Sequence, residues 1–534
     1  ISELVRKLMS KNAEDRYQNA LGLKHDLELC LNQLQQSGKI GLFNLGDRDP
    51  SDRFLICEKL YGREPEVNTL LAAFDRVSSS GKTEIVLVAG YSGIGKTVVI
   101  KEVHKPIVRQ RGYFIQGKYD QFGRNIPFSA FVQAFRNLIG QLFAESPAQL
   151  QDRQNQILAV VGDNGQVLID VIPELERIIG KQPPVAELAG SAAQQRFYLL
   201  MQKFVGLFCT AAHPLVLFLD DLQWADLASL NLLQSLMEDS EYLLVLGAYR
   251  DNEVSPIHPA ILATTEIAKT GVSVETITLA PINQVDLNQL IADTLKCDLL
   301  VAQPLAELVN LKTKGNPFFA TQFLKALYED GLISFKRLDR DLQVGGWQCD
   351  LAKVRALAVT DDVVEFMALQ LQKLPIETQS AMALAACIGA RFDLHTLAIV
   401  LEQSVEDTAA ILWQGLTENF LIPTTEIYKF FTKSGDRLES NESANPVYRF
   451  LHDRVQQAAY SLIPDDRQQL THLKIGRLIQ QSCADLSIDR QLFDVVGHLN
   501  IAKSLIIDPI ERLSLVELNF TAGKRARNST AYAA

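Results

Sequence analysis

The residues best suited to chemistry form one glycine-rich segment within the first hundred residues. They are, in order, Gly90, Tyr91, Ser92, Gly93, Ile94, Gly95, Lys96 and Thr97. The segment satisfies the phosphate-binding pattern G-x-x-x-x-G-K-[ST] in full. Its glycines let successive backbone N–H groups curve around a phosphate without Cβ clashes. The ammonium group of Lys96 would reach the β- and γ-phosphates of a nucleotide, and the hydroxyl of Thr97 would bind Mg²⁺.

The flanking residues supply the context in which this pattern binds phosphate. Residues 84–89 are mostly apolar and β-branched, as expected of a buried parallel strand, and residues 98–103 can continue as a helix. The N-terminus of that helix adds the positive end of its dipole. We therefore expect all eight residues of the loop to bind ATP or ADP. The alternative is a glycine-rich turn that binds nothing.

Two carboxylates follow a second apolar run. Residues 214–221 read Pro-Leu-Val-Leu-Phe-Leu-Asp-Asp, which places Asp220 and Asp221 at the carboxyl end of a strand, where ligands bind in open α/β sheets. Asp220 would hold Mg²⁺ through water, and Asp221 would orient or deprotonate the attacking water. The alternative is that Asp221 only caps the helix that follows, a role also open to Asp226.

Two further strand ends carry polar residues. Arg250 follows the apolar run 242–248 and can reach a γ-phosphate and report its presence. The alternative is an ion pair with a surface acid such as Asp251. Residues 117–121 follow the second predicted strand and are interpreted as a solvated loop, with positioning of a water molecule as the alternative.

Pro317 lies within the run Gly-Asn-Pro-Phe-Phe at residues 315–319. Proline suits the first position of a helix, because its missing N–H would be unpaired there in any case. The residue could also line an adenine pocket if this segment packs against a nucleotide. The sequence leaves helix initiation and adenine binding open.

The pattern along the chain predicts an α/β fold. The predicted strands alternate with helical stretches and are 84–89, 112–116, 214–219, 242–248 and 274–279. This alternation implies right-handed crossovers and a parallel sheet covered by helices on both faces. Residues 284 to about 335 are predicted to be helical. Residues 350–465 are predicted to be helical with strands near 420–423 and 448–450, which is compatible with a winged helix.

Bulk composition restricts the class of protein. The chain has 534 residues, which predicts about two to four domains. A net charge of −11 argues against a broad surface for nucleic acid or anionic membrane. No apolar run is long enough for a transmembrane helix. The seven cysteines are dispersed without a C-x-x-C pair, so we expect reduced thiols and a cytoplasmic protein. We also expect a piece of a longer chain.

Four motifs carry a resemblance to a known family. The strings GYSGIGKT, LFLDDLQWAD, LGAYRDNEV and KGNPFF resemble those of the STAND class of P-loop ATPases, within the AAA/ASCE group. The nearest likeness is to the ATPase module of large bacterial signalling proteins. Those proteins carry a serine/threonine kinase before this module, and a helical repeat array, a GAF domain and a sensor histidine kinase after it. The resemblance covers essentially the whole chain.

The resemblance implies a division of the chain. The expected segments are 1–36, a helical remnant of a kinase domain; 37–60, a linker; 61–283, the ATPase domain; 284–345, a helical lid; 346–465, a winged-helix-like domain; and 466–534, the start of a TPR-like helical array. Residues 11–17 resemble the end of a kinase fold, and residues 61–64, 450–454 and 522–526 resemble the family's entry, winged-helix and repeat motifs. The kinase catalytic motifs themselves are absent.

The family also implies a mechanism. STAND ATPases are switches, in which ADP holds a closed form and exchange for ATP opens it, often with assembly into homo-oligomers. His452 and Asp453 resemble the family's Met-His-Asp motif, in which the histidine contacts the ADP β-phosphate; Leu451 replaces the methionine here. A buried structural histidine is the alternative reading of His452.

Three functions compete at this point. The first is a slowly hydrolysing ATP-dependent switch inside a multidomain kinase. The second is a transcription regulator, since related ATPases carry a DNA-binding domain. Residues 350–465 carry no concentrated basic helix, so such a domain would have to lie outside these residues. The third is a scaffold that binds nucleotide without hydrolysis, against which the Asp220–Asp221 pair argues.

Overall fold

The architecture comes from a computed structural model. It describes residues 1–10, 16–17, 20–46, 54–57, 59–110, 112–121, 127–186, 188, 190–336, 346–356, 362–424, 445–482 and 492–528. The first half of the chain contains α1 (Ser2–Leu8), α2 (Ala20–Ser37), α3 (Glu64–Ser80), β1 (Glu84–Ala89), α4 (Lys96–Glu102), α5 (His104–Arg109), β2 (Tyr113–Lys118), α6 (Ser129–Leu142), α7 (Pro147–Val161), α8 (Gly165–Ile169), α9 (Glu176–Ile179), α10 (Gly190–Gly206), β3 (Leu215–Asp220), α11 (Leu227–Asp239), β4 (Leu243–Tyr249) and α12 (Pro259–Lys269).

The second half is mostly helical. It contains β5 (Ser273–Thr278), α13 (Gln284–Leu295), α14 (Leu299–Thr313), α15 (Pro317–Glu329), β6 (Ile333–Lys336), β7 (Gly346–Cys349), α16 (Leu351–Ala356), α17 (Val363–Leu371), α18 (Ile376–Ile388), β8 (Arg391–Asp393), α19 (Leu394–Leu401), α20 (Val405–Thr417), β9 (Leu421–Pro423), β10 (Val447–Phe450), α21 (Asp453–Ser461), α22 (Asp465–Ser482), α23 (Leu492–Ile501) and α24 (Pro509–Asn528).

The chain divides into two compact units. One consists of residues 1–62 and 281–361, and the other consists of residues 63–280 and 362–534. Among the described residues, no helix combines the length and the apolar character needed to cross a bilayer.

A five-stranded parallel sheet organises the larger unit. Its strand order is β2-β3-β4-β1-β5, so β4 separates the strand before the glycine-rich loop from the strand that ends in the two carboxylates. All residues of β1 and β3 are buried, as their continuous apolar runs predict. Each predicted strand is present, with its ends displaced by at most two residues. The predicted parallel sheet is therefore confirmed.

Helices on this sheet bury a large aromatic and aliphatic core. Buried phenylalanines from α6 and α10 pack together there, with Phe135 and Phe204 in an edge-to-face arrangement at 5.7 Å between ring centroids. The core fixes the strands, and through them the loops at their carboxyl ends.

The same unit contains a small antiparallel sheet with the order β8-β10-β9. The chain order α18, β8, α19, α20, β9, β10 is that of a winged helix. The predicted strands near residues 420–423 and 448–450 are confirmed. Strand β8 was not predicted, because three residues are too few to show a periodicity.

The smaller unit departs from the prediction at one place. The prediction of helix up to about residue 335 is wrong for Ile333–Lys336, which forms β6 and pairs antiparallel with β7. The residues Ile-Ser-Phe-Lys alternate apolar and polar side chains, which is a strand pattern. At the N-terminus, α1 and α2 are helical as predicted, and residues 11–15 of the kinase-like stretch lie outside the described residues.

Candidate nucleotide-binding site

The glycine-rich loop connects β1 to α4 in the conformation that its sequence predicts. Gly90, Gly93 and Gly95 all have positive φ, at 151°, 80° and 101°. A Cβ atom on Gly90 would lie 3.0 Å from a methyl carbon of Ile94 and 3.1 Å from the carbonyl oxygen of Leu279, so a side chain would crowd the loop. Helix α4 begins at Lys96, directly after the loop.

The side chain of Lys96 is buried against the loop. Its Nζ donates hydrogen bonds to the carbonyl oxygens of Gly90 and Tyr91, at 2.8 and 3.0 Å. Burial lowers the pKa of Lys96, and the nearby carboxylates of Asp221 and Asp220 act in the opposite direction. The ammonium group therefore lies inside the loop, where a phosphate would offer it stronger acceptors than two carbonyls.

Thr97 and Asp220 form the pair predicted to bind a metal ion. The Thr97 hydroxyl donates to Asp220 Oδ2 at 2.8 Å, and Asp220 Oδ1 accepts from the backbone N–H of Asp221 at 3.0 Å. Two hard oxygens beside a phosphate loop suit Mg²⁺, which completes its shell with water and phosphate oxygens. No cluster of three or more His, Cys, Asp or Glu side chains suitable for a metal occurs in the described part of the chain.

Asp221 is buried at the end of β3 in a left-handed backbone conformation, with φ 57° and ψ 47°. Its carboxylate lies 2.9 Å from Lys118 Nζ and 3.5 Å from Arg250 Nε, and it accepts a hydrogen bond from Gln223 at 2.8 Å. Burial is the main cause that raises the pKa of Asp221 to about 6.

The capping alternative for Asp221 is wrong. No backbone N–H of the short 3₁₀ helix that follows it, Leu222–Trp224, donates a capping hydrogen bond to the Asp221 side chain. Asp226 performs that role for α11, where its carboxylate accepts from the backbone N–H of Ser229 at 2.8 Å. The Asp221 carboxylate therefore faces the cations at the strand ends.

Arg250 is almost completely buried, with 1% of its side chain exposed. Its guanidinium group makes ion pairs with Glu253 and Asp453, both at 2.7 Å, and lies 4.5 Å from the centroid of the Trp224 ring. The predicted alternative of a pair with Asp251 is replaced by these contacts. Arg250 is at the strand end where a sensor of the γ-phosphate was predicted, and that role stays a prediction.

Lys118 and Asp453 were missed as site residues. Lys118 ends β2, and its Nζ lies 2.8 Å from Asp453 Oδ1 and 2.9 Å from Asp221 Oδ2. The interpretation of residues 117–121 as a solvated loop is therefore wrong for Lys118. We call the group formed by Lys118, Asp221, Arg250 and Asp453 the ion-pair junction.

The ion-pair junction joins the parallel sheet to the first residue of α21. Burial would raise the pKa of Asp453, but Lys118, His452 and Arg250 outweigh it and hold that pKa well below its usual range. Asp120 Oδ2 also accepts from the backbone N–H of Ala390 at 2.9 Å. The winged-helix segment is thus attached to the carboxyl edge of the sheet by charge-assisted contacts.

His452 precedes Asp453 and caps α21. Its Nδ1 accepts a hydrogen bond from the backbone N–H of Arg454 at 3.1 Å. Burial is the main cause that lowers the pKa of His452 to about 3, so the ring is neutral near pH 7. Since Nδ1 accepts, the proton of the neutral ring is on Nε2, which makes that atom a donor. Contact with a β-phosphate stays a prediction.

Pro317 lies in the smaller unit, at the start of α15. The preceding Asn316 caps this helix by accepting from the backbone N–H of Phe319 at 3.1 Å. Helix initiation is therefore present, and the adenine-pocket role of Pro317 stays a prediction.

The site lies in a segment with a recognisable family pattern. Residues 59–246 match the family model described as an AAA ATPase domain. Its fold is that of a P-loop NTPase. The phosphate loop, the two carboxylates and most of the sheet of this P-loop domain fall inside the matched residues.

The P-loop domain and its flanking segments are also similar to parts of large kinases. Hybrid signal transduction histidine kinase G of Dictyostelium discoideum is 30% identical, over 100% of this chain and 18% of that protein. Histidine protein kinase 1 of Candida albicans is 22% identical, over 45% of this chain and 11% of that protein. The chain therefore spans less than a fifth of the length of these relatives.

Among solved structures, a STAND protein with a tetratricopeptide repeat sensor from Pyrococcus horikoshii aligns with a TM-score of 0.42 and 11% identity. The alignment covers 90% of this chain and 53% of that chain.

Proposed function

We propose that this chain binds ATP with Mg²⁺, hydrolyses it slowly and acts as a nucleotide-dependent switch within a larger signalling protein. The assignment of ATP rests on the phosphate loop with its buried Lys96, and on the Thr97–Asp220 pair. Bound Mg²⁺ would be held by Thr97 and Asp220, and would neutralise charge on the phosphates.

The ion pair between Arg250 and Asp453 is the observation that supports a switch. Arg250 directly follows β4, at the edge of the sheet that carries the phosphate loop. Its guanidinium group lies 2.7 Å from the carboxylate of Asp453, the first residue of α21. A γ-phosphate would compete with the Asp453 carboxylate for this group, whereas ADP has no γ-phosphate to offer. Binding of ATP would therefore weaken the ion-pair junction, and ADP would leave it intact.

The carboxylate of Asp221 is the group suited to hydrolysis. An attacking water would form a bond to the γ-phosphorus while the bond from that phosphorus to the β–γ bridging oxygen breaks and ADP leaves. Asp221 would orient the water and accept its proton, and Lys96 would stabilise charge on the phosphates. Arg250 would act here as the sensor of the γ-phosphate. In this structure Lys118 Nζ lies 2.9 Å from Asp221 Oδ2. This oxygen is already paired and would have to be released before it could accept a proton from water, which is consistent with slow turnover.

The parent protein is part of the proposal. The two relatives are named as histidine kinases, and the chain covers only a fraction of each. We propose a cytoplasmic multidomain parent with a histidine kinase, in which residues 1–36 end a serine/threonine kinase domain and residues 466–534 begin a helical array. The lid would be residues 284–345, and Pro317 would line the adenine pocket. Assembly into ATP-dependent homo-oligomers and a bacterial source also remain proposals.

Nucleotide content and turnover of the purified chain test this function. We expect near-stoichiometric ADP to be released on denaturation, and Mg²⁺-dependent hydrolysis at well below the median enzyme rate of about 10 s⁻¹. In the Asp221→Asn variant, ATP binding should persist while hydrolysis falls about 100-fold or more. Because the pKa of Asp221 is about 6, wild-type hydrolysis should decline as the pH falls below about 6.

Asp239→Asn provides a matched control, since Asp239 accepts a hydrogen bond from Gln202 on α10, away from the phosphate loop. Failure to bind ATP would refute the proposed function altogether. Binding without hydrolysis would leave a nucleotide-dependent scaffold. An unchanged hydrolysis rate in Asp221→Asn would exclude Asp221 as the base.

A further inference from the structure

A buried glutamine connects the two strand ends that carry Asp221 and Arg250. Gln223 lies in the 3₁₀ helix after β3 and is 4% exposed. Its Nε2 donates to Asp221 Oδ1 at 2.8 Å, and its Oε1 accepts from the backbone N–H of Arg250 at 3.1 Å. A single side chain thus spans the carboxyl ends of the adjacent strands β3 and β4.

The orientation of this amide is determined by its partners. The backbone N–H of Arg250 can only donate, so it must face Oε1, and the amide NH₂ must then face the carboxylate of Asp221. A rotation of the amide by 180° would place oxygen against the carboxylate and NH₂ against an N–H group. Both hydrogen bonds would be lost in a buried site, where an unpaired polar group is strongly unfavourable.

The backbone of Asp221 lies in the left-handed region, with φ 57°, which residues with a Cβ adopt rarely, although aspartate is among those that do. The hydrogen bond from Gln223 fixes the carboxylate of this residue. Asp220, by comparison, is held by Thr97 and by the backbone N–H of Asp221, without a contact to Gln223.

The three partners of the Asp221 carboxylate differ in permanence. Lys118 and Arg250 are ion-pair partners at 2.9 and 3.5 Å, and both are bound to Asp453 as well, so a change in the ion-pair junction would move them. Gln223 instead donates a hydrogen bond to Asp221 and accepts one from the backbone N–H of Arg250. Its hold on Asp221 therefore does not depend on Asp453.

We propose that Gln223 is a positioning residue for ATP hydrolysis, which holds the ionised carboxylate of Asp221 toward the attacking water whether or not the ion-pair junction is closed. Gln223 itself touches neither water nor phosphate in this role. The proposal rests on the proposed function, since it requires Asp221 to accept the proton. Loss of the amide donor would let the carboxylate rotate away from the attacking water.

Single-turnover hydrolysis and ATP affinity, measured separately, test the proposal in two variants. Gln223→Leu keeps a similar volume and removes both hydrogen bonds. Gln223→Glu keeps the acceptor for the backbone N–H of Arg250 but replaces the donor to Asp221 with a carboxylate. We expect the hydrolysis rate to fall about tenfold in both variants, with ATP affinity within about twofold.

Gln202→Leu is the matched control, because Gln202 hydrogen-bonds Ser235 on α11 and lies outside the site. It should leave both the hydrolysis rate and the ATP affinity unchanged. Circular dichroism checks folding, and the glutamate variant carries the test if the leucine variant does not fold.

Two results would overturn the role of Gln223. One is a wild-type hydrolysis rate in the glutamate variant, which would show that the amide donor to Asp221 is not needed. The other is weaker ATP binding at an unchanged rate. Wild-type protein that binds ATP without Asp221-dependent hydrolysis would instead refute the proposed function, and the role of Gln223 with it.

Discussion

The phosphate loop and the ion-pair junction meet at the same edge of the sheet but are built in different ways. In the loop, eight consecutive residues supply the backbone curve, the ammonium group and the hydroxyl, and only Asp220 comes from elsewhere. In the junction, Lys118 and Asp453 are 335 residues apart, and Arg250 and Asp453 are 203 apart. The loop is a property of local sequence, whereas the junction exists only when two folded segments pack together.

This difference predicts different consequences of mutation. A change in the loop should remove nucleotide binding and leave the fold intact, because the loop contributes little to the core. A change in the junction should alter the attachment of α21 and the retention of ADP, while ATP can still bind.

The largest effect is expected from Lys96→Ala. The variant loses the ammonium group that faces the phosphates, so ATP and ADP affinity should both fall about 100-fold or more. Fluorescent nucleotide titration measures this, and Lys82→Ala, at an exposed position before β1, is the control. A folded Lys96→Ala protein with normal affinity would show that residues 90–97 are not the binding site.

A smaller effect is expected from Asp453→Asn, which leaves Arg250 and Lys118 without their shared carboxylate. Removal of one partner from a buried ion pair costs about 3 kcal/mol, so urea should unfold the variant at lower concentration. Bound ADP should also be released faster, which stopped-flow fluorescence measures. Asp466→Asn, at an exposed position in α22, should change neither property.

The pH dependence of this effect follows from the lowered pKa of Asp453. A carboxylate whose pKa is lower in the folded protein stabilises it above its unfolded pKa of about 4, and that contribution is lost as the pH falls further. The stability difference between wild type and Asp453→Asn should therefore be constant from about pH 7 to 8 and shrink below about pH 4. A smaller change is expected near pH 6, where the neighbouring Asp221 titrates, because Asp453 helps to raise the pKa of Asp221. A difference that does not shrink below about pH 4 would contradict this assignment.

The smallest effect is expected from His452→Asn. Asparagine also caps helices well, so α21 should keep its first hydrogen bond while the Nε2 donor is removed. We expect ADP affinity to fall about tenfold, the low end of the value of one hydrogen bond to a charged group, with ATP affinity unchanged. Calorimetric titration with both nucleotides measures this, and an equal loss for ADP and ATP would assign His452 to structure alone.

The sequence predicted the sheet and the loop because both leave local marks. A buried strand such as β3 is a continuous apolar run, and glycines at positive φ, as at Gly93 and Gly95, have a fixed spacing. Asp220 and Asp221 were found because they directly follow such a strand, although their roles with Mg²⁺ and water stay predictions.

The contact between Lys118 and Asp453 has no such mark. Asp453 was noted only as part of the motif with His452, and its pairing with Lys118 depends on how α21 packs against the end of β2, which no spacing encodes. Gln223 was likewise overlooked between two conspicuous neighbours, Asp221 and Trp224. A signal for Lys118 was present, since it ends a predicted strand at the same edge as Asp220.

The separation between Arg250 and Asp453 also has a consequence for synthesis on the ribosome. The 203 residues that follow Arg250, up to and including Asp453, take roughly 10–40 s to translate at about 5–20 residues per second. Throughout that interval the nascent sheet can fold, while Arg250 and Lys118 face solvent or a chaperone in place of Asp453. The ion-pair junction is therefore completed only after α21 has been synthesised. If the ribosome stalls before Asp453, Lys118 and Arg250 lack the carboxylate that they share.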